Sequence, residues 1–252
     1  MQVQLSPEEM KIIGGRAELK PILDAVITVY RAEGIDPFIK ILHEAVLKRK
    51  IRYPVLEYAA TELYNIIPDE EQVQVTDRII MLGENGSEVI AGKILQLRLP
   101  RHYRSSIDKA ISYISSGADW LCCDTMGERV EGHALLTMPE ETIPLLKRFS
   151  QGDDKWIVRS VGVATHYAVK KGLKKKYAEE MFQILLSLAG SKDFHVKKGI
   201  GWAAKTIAKF HPDIIEQYAD RINNDAEVKQ WFKTKIKIGL GRKDKYADRY
   251  RG

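Results

Sequence analysis

The chain has 252 residues, of which 44% are hydrophobic and 29% charged, and a formal net charge of +6. That length buries a sizeable core in one or two domains, and the composition is not that of a disordered or fibrous chain. The opening MQVQLSPEEMK has neither a basic n-region nor an apolar run, and no window reaches about 18 uninterrupted apolar residues, so neither secretion nor a membrane span is expected.

Along the chain, apolar residues recur mostly at three and four spacing, and β-branched alternation is short, so the expectation is all-α. Helix breaks are predicted at Gly34 to Pro37, Ile67-Pro68, Gly83 to Gly86, Leu99-Pro100, Ser116-Gly117, Gly152, Gly172, Ala189-Gly190 and His211-Pro212. Helices sharing a start pattern open near Tyr53, Ser87, Ala118, Asp153, Asp193 and Asp225, roughly 32 to 40 residues apart. Each start carries a small polar or acidic residue suited to an N-cap, then a bulky apolar one, as in GADWLCCD, DDKWIVRS and KDFHVKKGIGW. One helical pair at this spacing cannot bury both apolar faces. About six pairs are therefore expected to stack into a solenoid over residues 1–241, its concave face lined by the second helices, with a basic tail at 242–252.

The cysteines, Cys122 and Cys123, are adjacent; a bridge between them would be strained, and two thiols are too few for a usual structural zinc site. A reducing cytoplasm is the expected compartment. The histidines at 43, 102, 133, 166, 195 and 211 have no metal-like spacing and read as packing or surface residues, and Gly199-Ile200-Gly201 follows no strand and is no phosphate loop. No metal and no cofactor are expected. Charge is polarised: from Lys147 to Lys209 there are fourteen Lys or Arg against five acids, whereas Glu62 to Asp77 is acidic. A fold that gathers that surplus on its concave face would attract a polyanion.

Three motifs could carry chemistry. In DWLCCDTMGERV, Trp120 and Asp124 are four apart and leave one helix face about 5 to 6 Å apart at Cβ, an aromatic plane beside a carboxylate; the plainer reading is a partly buried Trp next to a solvated or capping Asp. In DDKWIVRSVGVATHY, Arg159 follows Trp156 by three on an apolar helix, either as a phosphate or carboxylate clamp or as an ion pair to a neighbouring helix. In HVKKGIGWAAKTIAK, Trp202 and Lys205 are interleaved with Lys197, Lys198 and Lys209, which also describes a core Trp with a solvated lysine edge.

Together, W-x-x-x-D at Trp120 and Asp124, WIVRS with Arg159 thirty-five residues after that Asp, and VKKGIGWAAK with Trp202 resemble the bacterial and archaeal DNA alkylation repair glycosylases built from HEAT-like repeats. The likeness is strongest from Gly117 to Lys209. It implies a right-handed solenoid of HEAT-like repeats, and removal of cationic N3- and N7-alkylated purines from double-stranded DNA without a metal and without drawing the base into a pocket, a departure from the usual base flipping. It further implies Asp124 as the catalytic carboxylate, Trp120 and Trp202 as walls against the lesion sugar, and Arg159 as a DNA-backbone contact, with Lys205, Lys155, Lys197 and Lys198 on the DNA-binding face. Lys205 stands where the family commonly has Arg, which keeps the charge and loses the bidentate fork. A monomer is expected. Two other readings remain at this point: a paralogue that binds DNA structures without catalysis, and a HEAT-type scaffold for a protein partner.

Overall fold

The computed structural model describes residues 12–224 and 226–242, and every regular element among them is a helix, with one isolated parallel bridge between Ile13 and Ile51. The basic tail from 243 on, the helix start expected at Asp225 and the first eleven residues lie outside the described residues. The chain divides into two compact units, residues 1–102 and 103–252, each with its own apolar core.

In the first unit, α1 (Arg16–Glu33) and α2 (Ile35–Leu42) meet at Gly34, whose φ of 82° is a left-handed geometry that favours glycine. α2 runs into a π-helical turn, His43–Leu47, followed by α3 (Tyr53–Ile66), α4 (Gln72–Ile80) and the first part of α5 (Ser87–Gly117). Leu19, Leu23, Phe38, Leu42, Leu63 and Ile79 fill the interior. A polar knot crosses it: buried Arg98 donates to Gln72 Oε1 at 2.7 Å and Asp69 O at 2.8 Å, while Gln72 Nε2 satisfies Tyr64 O and Ile67 O at the end of α3. Part of the acidic Glu62 to Asp77 stretch is thus engaged internally, Asp69 by Arg98 and Glu71 by the Tyr30 hydroxyl.

The break expected at Leu99-Pro100 falls two residues later. Pro100 sits inside α5, and helical geometry fails at His102, with φ −134° and ψ 48°. Pro100 has no N–H for the carbonyl four residues back, and just beyond it His102 Nε2 contacts the Asp69 carboxylate.

In the second unit, α6 (Trp120–Met126), a π-helical turn (Gly127–Gly132) and α7 (His133–Thr137) follow one another without a break. After them come α8 (Pro139–Ser150), α9 (Lys155–Lys170), α10 (Lys175–Ser187), α11 (Phe194–Phe210), α12 (Pro212–Gln217), α13 (Ala219–Asn223) and α14 (Gln230–Leu240). The α6–α7 rod, α9, α11 and α14 lie side by side in that order, and α8, α10 and α12 pack against them as a second layer. Neighbouring positions in the first layer keep a nearly constant offset: Gly127 meets Val163, Gly132 meets Tyr167, Gly162 meets Gly199 and Gly201 meets Lys235. A constant offset requires parallel helices, and it is the spacing that the periodicity of the sequence predicts.

Three of the expected helix starts carry an acidic cap, whereas α3 opens after Arg52 with no side-chain cap. Asp119, Asp154 and Asp193 cap α6, α9 and α11, each side chain accepting two backbone N–H bonds from the first turn. α9 and α11 approach at Gly162 and Gly199, where a Cβ on Gly162 would stand 2.3 Å from the Gly199 carbonyl. Backbone cannot yield there as a flexible side chain can. Gly162→Ala is expected to lower unfolding free energy by about 3 kcal/mol, the upper range of overpacking, while Gly152→Ala, whose Cβ meets only Phe149 O at 3.5 Å, is expected to be near neutral. Urea denaturation of both variants measures the contrast, and equal midpoints would contradict the close helix crossing.

Candidate active site

The constant offset brings Asp124, in the second turn of α6, opposite Arg159, in the second turn of α9. Arg159 Nε donates to Asp124 Oδ1 at 2.9 Å and Nη2 to Oδ2 at 2.8 Å, a parallel two-bond grip, and Nη1 donates to His195 O at 3.3 Å. One guanidinium thereby ties three successive helices. Of the readings left open by the sequence, the ion pair to a neighbouring helix is the one found. Burial of Arg159 disfavours its charge, but the bonds and charge of Asp124 outweigh this and its pKa is raised. The carboxylate itself keeps a fifth of its side-chain surface exposed, so it is oriented without being sealed off.

The aromatic residues stand at different levels along these parallel helices. Trp120 opens α6 and is 59% exposed, one turn before Asp124 on the same face. Trp202 on α11 is half-buried, and its ring stacks on His166 of α9 at 3.9 Å between centroids and 24° between planes. His166 is seven residues after Arg159, so the Trp202 level lies roughly 10 Å along the axis from the level of the ion pair. Trp120 therefore lies about one turn before the carboxylate on its own helix, and Trp202 about two turns beyond its level on α11. Trp156 is buried, its ring tilted 44° against that of His195 at 4.3 Å between centroids, and its carbonyl accepts the Cys123 thiol. Phe194, which the sequence did not single out, is 60% exposed with the Lys198 ammonium 5.1 Å from its ring centre.

Basic residues populate the same helices. Lys155 and Lys198 are exposed, and Lys197 and Lys205 are half-buried. The pKa of Lys205 is lowered, first by burial and then by Arg242, Lys235 and Lys209, all of them cations. No group of three or more His, Cys, Asp or Glu side chains able to hold a metal ion is found among the described residues. Both cysteines are free and buried, and burial pushes the Cys123 thiol far up, so it is an inert core residue.

A family profile described as DNA alkylation repair enzyme matches residues 23–234, most of the chain. The chain belongs to that family. No curated protein matches it in a direct comparison. Membership in a DNA alkylation repair family makes the substrate DNA and the damage alkylation, and no described helix is long and apolar enough to cross a membrane.

Sequence reasoning about this alkylation repair protein missed Glu131. It lies in the π-helical turn after α6 and is fully buried. Neither oxygen finds hydrogen-bonding geometry, and the neighbouring Ser160 hydroxyl is committed to Ile157 O. Burial pushes its carboxyl up to about 7, with Ser160 offsetting only part of the penalty. The folded-state pKa then exceeds the unfolded one, so stability is greatest below pH 4.5 and is lost as pH rises through 7. At about 1.4 kcal/mol per unit the loss is on the order of 3 kcal/mol. Glu131→Gln should therefore match the wild type near pH 4.5 and exceed its stability by about that amount at pH 8. Denaturant titrations at the two pH values test this, and parallel pH profiles for the two proteins would refute it.

Proposed function

We propose that this protein is a monofunctional DNA glycosylase, working as a monomer, that hydrolyses the N-glycosidic bond of cationic N3- or N7-alkylated purines in duplex DNA. The observation that carries the reading is the Asp124 carboxylate, held in a fixed orientation by Arg159 and partly open to solvent, in a chain of an alkylation repair family. The stacked helical pairs of the second unit support the expectation of HEAT-like repeats, with α6, α9 and α11 presenting the reactive face.

The chemistry fits one carboxylate. An alkylated purine with a ring positive charge departs with both electrons of the C1′–N bond and becomes neutral, so no general acid has to protonate it. Positive charge moves to the deoxyribose as an oxocarbenium-like species, which a nearby carboxylate stabilises. Water adds its oxygen to C1′ and loses its proton to solvent, leaving an abasic sugar and the free base. Both oxygens of Asp124 are engaged by Arg159. That grip lowers its nucleophilicity, so it acts as an electrostatic stabiliser and as an acceptor that orients the attacking water through its remaining lone pairs. Indole faces beside the cationic sugar add about 0.5 to 2 kcal/mol each once water is excluded.

DNA is held by charge. Arg242, Lys235 and Lys209 crowd Lys205 and, after burial, lower its affinity for protons, an arrangement that a phosphate would relieve. Lys155, Lys197 and Lys198 extend it towards the start of α11. Arg159 has two N–H groups beyond the three bonds it makes, but its side chain is nine-tenths buried, so its part in DNA binding is chiefly to hold Asp124.

Release of 7-methylguanine from alkylated duplex DNA is the expected activity, and Asp124→Asn is expected to lower it by about a hundredfold or more. A thermal melt of the variant separates this from unfolding. No release with salt-sensitive DNA binding intact would indicate a non-catalytic DNA-structure binder; no binding either would indicate a protein scaffold. In binding to undamaged duplex, Lys205→Gln and Lys235→Gln should each reduce the slope of log K against log salt by about 0.9, whatever the base sequence. An unchanged slope in both would remove this face from the interface.

A further inference from the structure

His166 is buried on α9, and its protonation is fixed by what surrounds it. Its Nδ1 lies 2.7 Å from Thr206 Oγ1. Thr206 has a single hydroxyl hydrogen and donates it to Trp202 O at 2.9 Å. Oγ1 can then only accept from the imidazole, so Nδ1 carries the hydrogen. The chain of bonds runs from the His166 ring through Thr206 to the backbone of the residue whose indole lies against that same ring.

The charged groups around His166 are Lys170 on its own helix and Lys205 and Lys209 on α11, all cations. Burial first, and then these lysines, bring its pKa down to about 3. The ring is therefore neutral throughout the physiological range. This matters to Trp202 because an indole has one electron cloud shared by two faces. An imidazolium against one face would draw on that cloud and weaken attraction for a cation on the other.

We propose that His166 is a positioning residue for Trp202: a neutral, Nδ1-protonated plate that fixes the tilt of the indole and leaves its opposite face electron-rich for a cationic nucleotide. The role rests on the glycosylase reading for its purpose, and the geometry stands without it. His166 touches no reacting atom. It acts through the stack, which its flat shape provides, and through Thr206, which anchors the ring's in-plane orientation.

Long-range 15N–1H spectra of histidine-labelled protein at pH 7 read the tautomer directly, and the Nδ1–H neutral form is expected for His166. An Nε2–H tautomer or an imidazolium there would overturn the proposal. In turnover of 7-methylguanine DNA, His166→Ala should lower kcat by about tenfold with little change in KM, because the contact counts most when the sugar is cationic. His166→Phe restores a flat neutral ring without the Thr206 bond and should recover most of that loss. Equal losses in the two variants, or a loss that follows melting temperature alone, would show a packing role only. Absence of release by the wild-type protein would count against the glycosylase reading alone. The indole ring-current shifts of Trp202 then decide: they should change in His166→Ala and persist in His166→Phe, and no change in either overturns the proposal.

Discussion

Arg159 sets the terms for the second unit, because its guanidinium has to meet a carboxylate on one neighbouring helix and a backbone carbonyl on the other. A buried ion pair adds little net stability, since desolvating both charges offsets most of their attraction, yet losing one partner leaves an uncompensated charge that costs about 3 to 5 kcal/mol. The pair is therefore better understood as fixing register. On the other side α9 and α11 approach to backbone distance: Arg159 Nη1 reaches His195 O, and a Cβ at Gly199 would meet Arg159 O at 2.5 Å and Arg159 Cγ at 2.8 Å. The glycine crossing sets the α9–α11 distance, and the ion pair sets the register of α6 on α9.

The π-helical turn after α6 belongs to the same constraint. Gly127 and Gly132 bracket it, and a Cβ on either would press on Val163 or Tyr167 of α9 at 3.0 and 2.9 Å. The rod thus hugs α9 while its first turns present Asp124 to Arg159. Two polar groups buried in this region work against stability, the unpaired carboxyl of Glu131 and the discharged imidazole of His166. An apolar core would be firmer without them. Departures from local rules concentrate where activity is expected, which is the usual place for stability to yield to function.

Much of this was legible in the sequence because it is local. Asp119, Asp154 and Asp193 announce helix starts through the N–H groups of their own first turns, and the thirty-five-residue separation of Asp124 and Arg159 equals the packing offset of α6 and α9. What stayed hidden depends on neighbouring helices. Arg159 as phosphate clamp or ion pair cannot be decided from its own helix. Glu131 stands among Glu128 and Arg129 and resembles a solvated face; a π turn inserts a residue and shifts the phase by about 100°, so a 3.6-residue period misplaces everything after Gly127. His166 looked like packing, and it does pack, but its partner forty residues on was out of sight.

Lysine at position 205, where the resembled family commonly has arginine, fits its surroundings in this chain. Arg242, Lys235 and Lys209 crowd that position, and burial removes water that would screen them. A guanidinium keeps its charge under almost any such pressure, whereas the proton affinity of an ammonium responds to its surroundings, as that of Lys205 does to burial and to these cations. On the proposed DNA-binding reading, a phosphate at this position would offset the crowding of positive charge. The fork lost with arginine is a loss of geometric specificity for one phosphate.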